Sequence, residues 1–123
     1  MSASESVAQR LRLGEVVSLY EDEWRTPIDP QSVAEAIQAV LARPSARGIF
    51  HLGGAVRLSR AELGEQVAAT FGLDPGLIRR TTRSAHQGAP RARDVSLDTT
   101  RAREELNWTP RPLDVVLREG RND

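Results

Sequence analysis

Ser59-Arg60-Ala61-Glu62 is the feature that most restricts what this chain can fold into. A Ser and a Glu three residues apart form a capping box, in which each side chain satisfies a backbone N–H at a helix entrance. Leu63, Val67, Ala68 and Phe71 then supply an apolar stripe, and Gly72 is placed to end the helix. A second start signal, Asp29-Pro30, joins a capping carboxylate to a proline suited to the first helical position. It predicts a helix that ends near Arg43-Pro44, with Val33, Ala36, Ile37, Val40 and Leu41 on one face. Helices bounded this tightly leave only short extended pieces between them.

The remaining segments fit that frame. Residues 4–13 predict a short helix with Val7, Ala8 and Leu11 on one side, stopped by Gly14. Residues 15–20, with Val16, Val17 and Leu19, predict a short strand. Glu21-Asp22-Glu23 reads as a solvated charged turn. Residues 24–28 return as an extended segment, because Thr26 precedes a proline. Gly48-Ile49-Phe50-His51-Leu52 reads as a compact buried strand closed by a turn at Gly53-Gly54, and Arg57-Leu58 as a further extended piece. Asp74-Pro75-Gly76 predicts a turn that opens one more helical turn, 78–82 a strand and 83–93 a loop. Residues 95–97 read as a strand, and Asp98 as the cap of a helix that runs to Leu106 and ends at Asn107. Pro110-Arg111-Pro112 is a rigid link into a final helix carrying Leu113, Val116 and Leu117. The predicted class is α/β, with short strands alternating with helices, in a single domain over 1–123.

Composition excludes several kinds of chemistry. All 17 basic side chains apart from histidine are arginines, so no Schiff base and no phosphate-loop lysine can be built. The 17 acidic residues bring the net charge to zero, which argues against a broad nucleic-acid or membrane surface. There is no cysteine for a disulfide, a thiolate metal site or a nucleophile. The two histidines, His51 and His86, are too few and too far apart for a zinc site. No apolar run approaches a membrane span, and the first residues lack a secretory signal, so cytoplasmic residence is expected.

Residues 88–112 include Arg91-Ala92-Arg93-Asp94, then Val95 to Leu97, Asp98, a helix-forming stretch and Leu106-Asn107-Trp108-Thr109-Pro110. This order resembles the carboxyl-terminal part of the extended short-chain dehydrogenases, and most closely the dTDP-4-dehydrorhamnose reductases and related sugar-nucleotide epimerases. In that family an Arg-rich loop leads to a strand, a Leu-Asp pair, a short helix, a Trp and a Pro-rich turn. The resemblance implies the C-terminal substrate-binding part of an extended Rossmann-type enzyme, without the dinucleotide-binding half. It covers nearly the whole chain but only the last part of the family's usual length.

The same resemblance suggests the site residues. Arg25 matches a segment that reaches the sugar-nucleotide pocket, where a guanidinium fork can hold diphosphate oxygens in two places. A plain surface pairing of Arg25 with Glu21, Asp22 or Glu23 is the alternative. Arg91 and Arg93 lie in the loop where relatives carry Arg-Pro, and Ala92 in place of that proline leaves both as candidates for the diphosphate or base. Their alternative is a solvated loop. His51 reads as a hydrogen-bonded core residue, and Trp24 and Trp108 as packing residues.

The resemblance also shows what is missing. The family's catalysis needs a glycine-rich turn for the cofactor's pyrophosphate and a Tyr-x-x-x-Lys pair for proton transfer. Gly53-Gly54 lacks the fingerprint spacing, and the only tyrosine, Tyr20, is followed four residues later by Trp24. NAD(P) is therefore implied for the parent family, and no cofactor is expected on this chain alone. The expected ligand is a nucleotide sugar, bound with a Rossmann-domain partner chain or in a homo-oligomer. The parent activity would be an NAD(P)-dependent reduction or epimerisation of a sugar nucleotide. A different class of reading is a non-catalytic binding or regulatory module, or a truncated remnant of the family.

Overall fold

The computed structural model describes residues 2–83 and 92–121. Helix α1 (Ala3–Arg12) starts at a capping box made by Ser2 and Glu5, and the chain turns out of it at Gly14, whose φ of 77° suits glycine. Strand β1 (Val17–Tyr20) follows, then the two-residue strand β2 (Trp24–Arg25). Helix α2 (Pro30–Leu41) is capped by Asp29, whose carboxylate accepts from Ser32 N–H. Strand β3 (Leu58–Ser59) leads without a gap into helix α3 (Arg60–Phe71). The predicted Ser59–Glu62 capping box is present there, and Gly72 ends the helix at φ 66°. A 3-10 turn (Pro75–Leu77) precedes strand β4 (Ile78–Thr81). Helices α4 (Thr100–Leu106) and α5 (Leu113–Arg121) complete the described elements, with Asn107 left-handed at φ 49° between them.

The strands form two small sheets. β1 and β4 are parallel, with Val17 opposite Ile78 and Tyr20 opposite Thr81. β2 and β3 are antiparallel, with Trp24 opposite Ser59 and Arg25 opposite Leu58. The parallel pair needs a long crossover, and the chain between its strands supplies α2 and α3. Val17 meets Val7, Ala8 and Leu11 of α1, Val67 and Ala68 of α3, and Leu117 of α5 in one core. Gly64 lets α3 approach this sheet, since a Cβ there would sit 2.3 Å from Leu19 Cδ1. A second core joins Ala36 of α2, Ala102 and Leu106 of α4, and Trp108. The Trp108 indole N–H donates to Ser32 C=O at 3.0 Å, tying the turn after α4 to the start of α2.

Several expectations need correction. Residues 48–52 form no strand and pair with none among the described residues. Ile49 is 75% exposed and His51 is exposed, so His51 is not a core histidine. Residues 95–97 are likewise not a strand; the β-pairing of this segment with β2 is a single isolated bridge between Trp24 and Asp94. Gly53-Gly54 provides close approach as well as direction, since a Cβ on Gly54 would lie 1.6 Å from Pro27 C=O. On α2 the buried positions are Ser32 and Ala36, while Ile37 and Leu41 face outward at 52% and 78% exposure. The buried stripe is rotated toward Ser32 because that hydroxyl and carbonyl are used by Asp29, Arg111 and Trp108. Asp98 accepts from the Thr100 N–H and hydroxyl, but Thr99 occupies the cap position of α4.

Candidate functional site

The antiparallel β2–β3 pair places the charged cluster of this protein. Backbone N–H of Arg60 donates to Glu23 C=O at 3.1 Å, extending the ladder by one step and setting the first residue of α3 beside Glu23. The Glu23 side chain is fully buried. Its Oε2 accepts from Arg60 Nε at 2.8 Å, while Oε1 lies 3.4 Å from an Arg83 nitrogen and 3.9 Å from an Arg25 nitrogen. A carboxylate leaves water at acceptable cost only when charges and hydrogen bonds replace the solvent. Three guanidinium groups among the described residues do so for Glu23. Glu23 is therefore not the solvated turn residue expected from its neighbours, whereas Glu21 is exposed and faces Arg80 at 3.7 Å. Asp22 accepts from the Arg83 backbone N–H at 3.0 Å and 3.1 Å.

Arg25 makes one of the pairings that its sequence left open, with Glu23, and has a further role that the sequence did not announce, as a structural clamp. Its Nη1 donates to the carbonyls of Trp24 at 2.8 Å and Arg93 at 3.3 Å, and its Nη2 to that of Ala92 at 3.3 Å. The fork thus brings the segment around Arg93 against β2, where Trp24 N–H also donates to Arg93 C=O. The Arg93 side chain is exposed, and Arg91 lies outside the described residues. Arg57 covers the Trp24 ring at 4.2 Å and bonds to Asp94 at 2.7 Å. Hydrogen bonds from Arg57, then from Ser96, hold the Asp94 carboxyl well below the usual carboxylate range.

A cleft of about 390 Å³ opens over this cluster. Arg25, Ser59 and Arg60 contribute its polar groups, and Ile28, Leu52, Leu58, Leu63, Val95 and Leu97 most of its wall. An apolar trough with a few convergent polar groups is the usual form of a small-molecule site. A larger hollow of about 620 Å³ lies between α1, α5 and the start of α2. Its Asp29 is already engaged by Ser32 and Arg111, and Arg12 lies over Phe71, so it offers less to a charged ligand. Arg60, Glu23 and Arg83 were not singled out from the sequence as site residues. One signal was available: extended residues alternate sides, which puts Glu23 and Arg25 on the same face. Among the described residues no group of acidic and histidine side chains could hold a metal, and no helix is long and apolar enough to cross a membrane.

The profile of the RmlD substrate binding domain matches residues 3–119. A dTDP-glucose 4,6-dehydratase from Streptomyces niveus is 36% identical over 77 residues, which cover 62% of this chain and 21% of that enzyme. The crystal structure of dTDP-glucose 4,6-dehydratase from Bacillus anthracis, in complex with NAD, superposes with a TM-score of 0.79 at 18% identity, covering 98% of this chain and 38% of that one. A Bordetella bronchiseptica enzyme solved with NAD and UDP gives 0.73 at 19% identity, covering 99% and 37%. The chain thus spans well under half the length of these relatives. The first turns of α2 and α3 already bond to Asp29 and Ser59, and neither helix follows a glycine-rich turn that would admit a pyrophosphate. With the profile covering almost all of its length and the fold agreeing, the chain belongs to the RmlD substrate binding domain family, a portion of the extended short-chain dehydrogenase architecture.

Proposed function

We propose that this chain, over 1–123, is the nucleotide-sugar-binding part of a cytoplasmic NAD(P)-dependent reductase, epimerase or dehydratase, and that it is not catalytic by itself. The observation that carries this reading is the cleft, an aliphatic trough that ends on arginines gathered around buried Glu23. Such a trough suits a ligand with one apolar or planar part and one doubly charged part, and a nucleoside diphosphate has both. Arg25, with Arg91 or Arg93 from the loop it clamps, holds the diphosphate oxygens by charge-assisted hydrogen bonds. The cofactor and the proton-transfer pair are supplied from outside these residues, by another chain or by a further segment. The UDP in the Bordetella enzyme supports the choice of ligand class.

Calorimetric titration with dTDP and UDP tests the reading. Saturable binding is expected, and Arg25→Ala should weaken it by more than about 1 kcal/mol, the scale of one charge-assisted contact. Absence of any nucleotide diphosphate binding would overturn the function, and an unchanged affinity would remove Arg25 from the site. NADP(H) should not bind to the chain alone; micromolar affinity would contradict the assignment of cofactor binding elsewhere.

A further inference from the structure

We infer that Arg60 is a further ligand for the substrate's diphosphate, held in position by Glu23; this deepens the nucleotide-sugar reading and rests on it for the identity of the ligand. The two arginines of the cleft are committed very differently. Arg25 directs Nη1 to two backbone carbonyls and Nη2 to a third, so most of its fork serves the crossing between β2 and residues 92–93. Arg60 uses only Nε, in a 2.8 Å bond to Glu23 Oε2. Its Nη1 and Nη2 meet no acceptor among the described residues. The side chain is 33% exposed and lines the apolar trough. A guanidinium fixed through Nε and open at its two terminal nitrogens presents four N–H groups in one plane, the arrangement that bridges two phosphate oxygens.

Compensation of buried Glu23 accounts for the Nε bond, but not for two terminal nitrogens left open over the trough. Arg60 is the first residue of α3, where the helix dipole disfavours a cation. Glu23 is buried and Arg60 partly exposed, so the carboxylate can act as the anchor and the guanidinium as the presented group. Fixing the fork before the ligand arrives reduces the ordering cost of binding. Glu23 is therefore a positioning residue and Arg60 a binding residue.

The test is calorimetric titration of the 123-residue chain with dTDP and, separately, with inorganic pyrophosphate, on the unaltered protein and on Arg60→Ala, Arg60→Lys and Glu23→Gln. Circular dichroism first establishes that each variant is folded at the working temperature. Arg60→Ala should lose about tenfold or more in affinity for both ligands, and Arg60→Lys should recover only part of it. Unchanged dTDP binding in Arg60→Ala would overturn the role of Arg60 while leaving the nucleotide reading intact. Pyrophosphate binding that weakens in Arg60→Ala, with dTDP no tighter than pyrophosphate, would keep the anion site and overturn the nucleotide reading. Binding of neither ligand would overturn both. Glu23→Gln separates positioning from simple charge. Removing a negative charge near an anion site should tighten binding on Coulomb grounds, whereas loss of the anchor should weaken it. Weaker binding is expected, and tighter binding would overturn the positioning role; should Glu23→Gln fail to fold, Glu23→Asp, which keeps the charge and shortens its reach, takes its place and should also weaken binding.

Discussion

The two cores of this protein are built in opposite ways. In the first, the apolar faces of α1, α3 and α5 close on a parallel strand pair, and each strand finds its partner within the chain. In the second, Ala36, Ala102, Leu106 and Trp108 make a small buried cluster whose largest side chain is Trp108, with Phe50 and Leu52 packed against it only partly buried. Beside that cluster, residues 48–52 carry the pattern of a buried strand yet find no partner strand among the described residues, and Val95 and Leu97 stay 45% and 42% exposed. The difference shows that an apolar run specifies burial only if something in the chain can cover it. It agrees with the proposal that further structure, from another chain or segment, completes this side of the molecule.

The most direct way to break the contrast is to remove the aromatic. Trp108→Ala should cost about 3–5 kcal/mol, through the cavity and the lost indole bond to Ser32. Val67→Ala in the first core should cost about 2 kcal/mol, because its neighbours on α1, β1 and α5 share the packing. Urea unfolding of both variants measures the difference. Equal costs would mean that the second core is as distributed as the first.

The seam between the two regions is electrostatic, and Glu23→Gln probes it. Removing the charge leaves Arg25, Arg60 and Arg83 facing one another without their buried counter-ion. The expected loss is about 3 kcal/mol, the lower end for breaking a buried pair, since Arg25 and Arg60 keep some contact with water. A loss below about 1 kcal/mol would mean that the arginines are satisfied by other partners.

How much of this could be read beforehand depends on the range of the interaction. The span of α3, that of α1 to within a residue, the opening of α5 after Pro112, the 3-10 turn after Asp74 and the strand at Ile78 follow from local capping and turn chemistry, which sits within a few residues of sequence. Arg25 was singled out through family resemblance as a binding candidate, but its clamp on the Arg93 backbone spans 68 residues and was not legible. Burial of Glu23 was not legible, because three acidic residues in a row look alike until β2–β3 pairing sets one of them under Arg60. The 48–52 segment misled for the converse reason: its local pattern is that of a buried strand, but no partner strand lies among the described residues.

Acid should weaken the second region through Asp29. Burial raises this carboxyl, but hydrogen bonds from Ser32 and the charge of Arg111 outweigh it and leave the folded value below the ordinary 3.8. A depressed folded value stabilises the protein above the unfolded value, and the contribution is lost as pH falls through the folded one. Stability should therefore drop below about pH 4, and Asp29→Asn should flatten that limb. At neutral pH the variant should lose about 1 kcal/mol or less, since Asn caps a helix nearly as well as Asp. Denaturation midpoints at pH 7 and pH 3 measure both effects, and a variant with an unaltered acid limb would assign it to other carboxylates.

The smallest effect gives the sharpest test of the comparison. Ile49 has the side chain of a core strand but is 75% exposed, with its carbonyl held by Arg101 at 2.7 Å. Burying an isoleucine is worth about 1.5–3 kcal/mol, so an exposed one contributes little of that. Ile49→Ser should leave the unfolding free energy of the chain within about 0.5 kcal/mol, while the same change in a covered position would be severe. If the chain is then paired with the remainder of an extended dehydrogenase, supplied as a second polypeptide, Ile49→Ser should weaken that association. Silence in the chain alone together with a penalty on association is the signature of a strand face waiting for cover. A large loss in the chain alone would show that residues 48–52 are already buried in solution, and the two cores would then be alike.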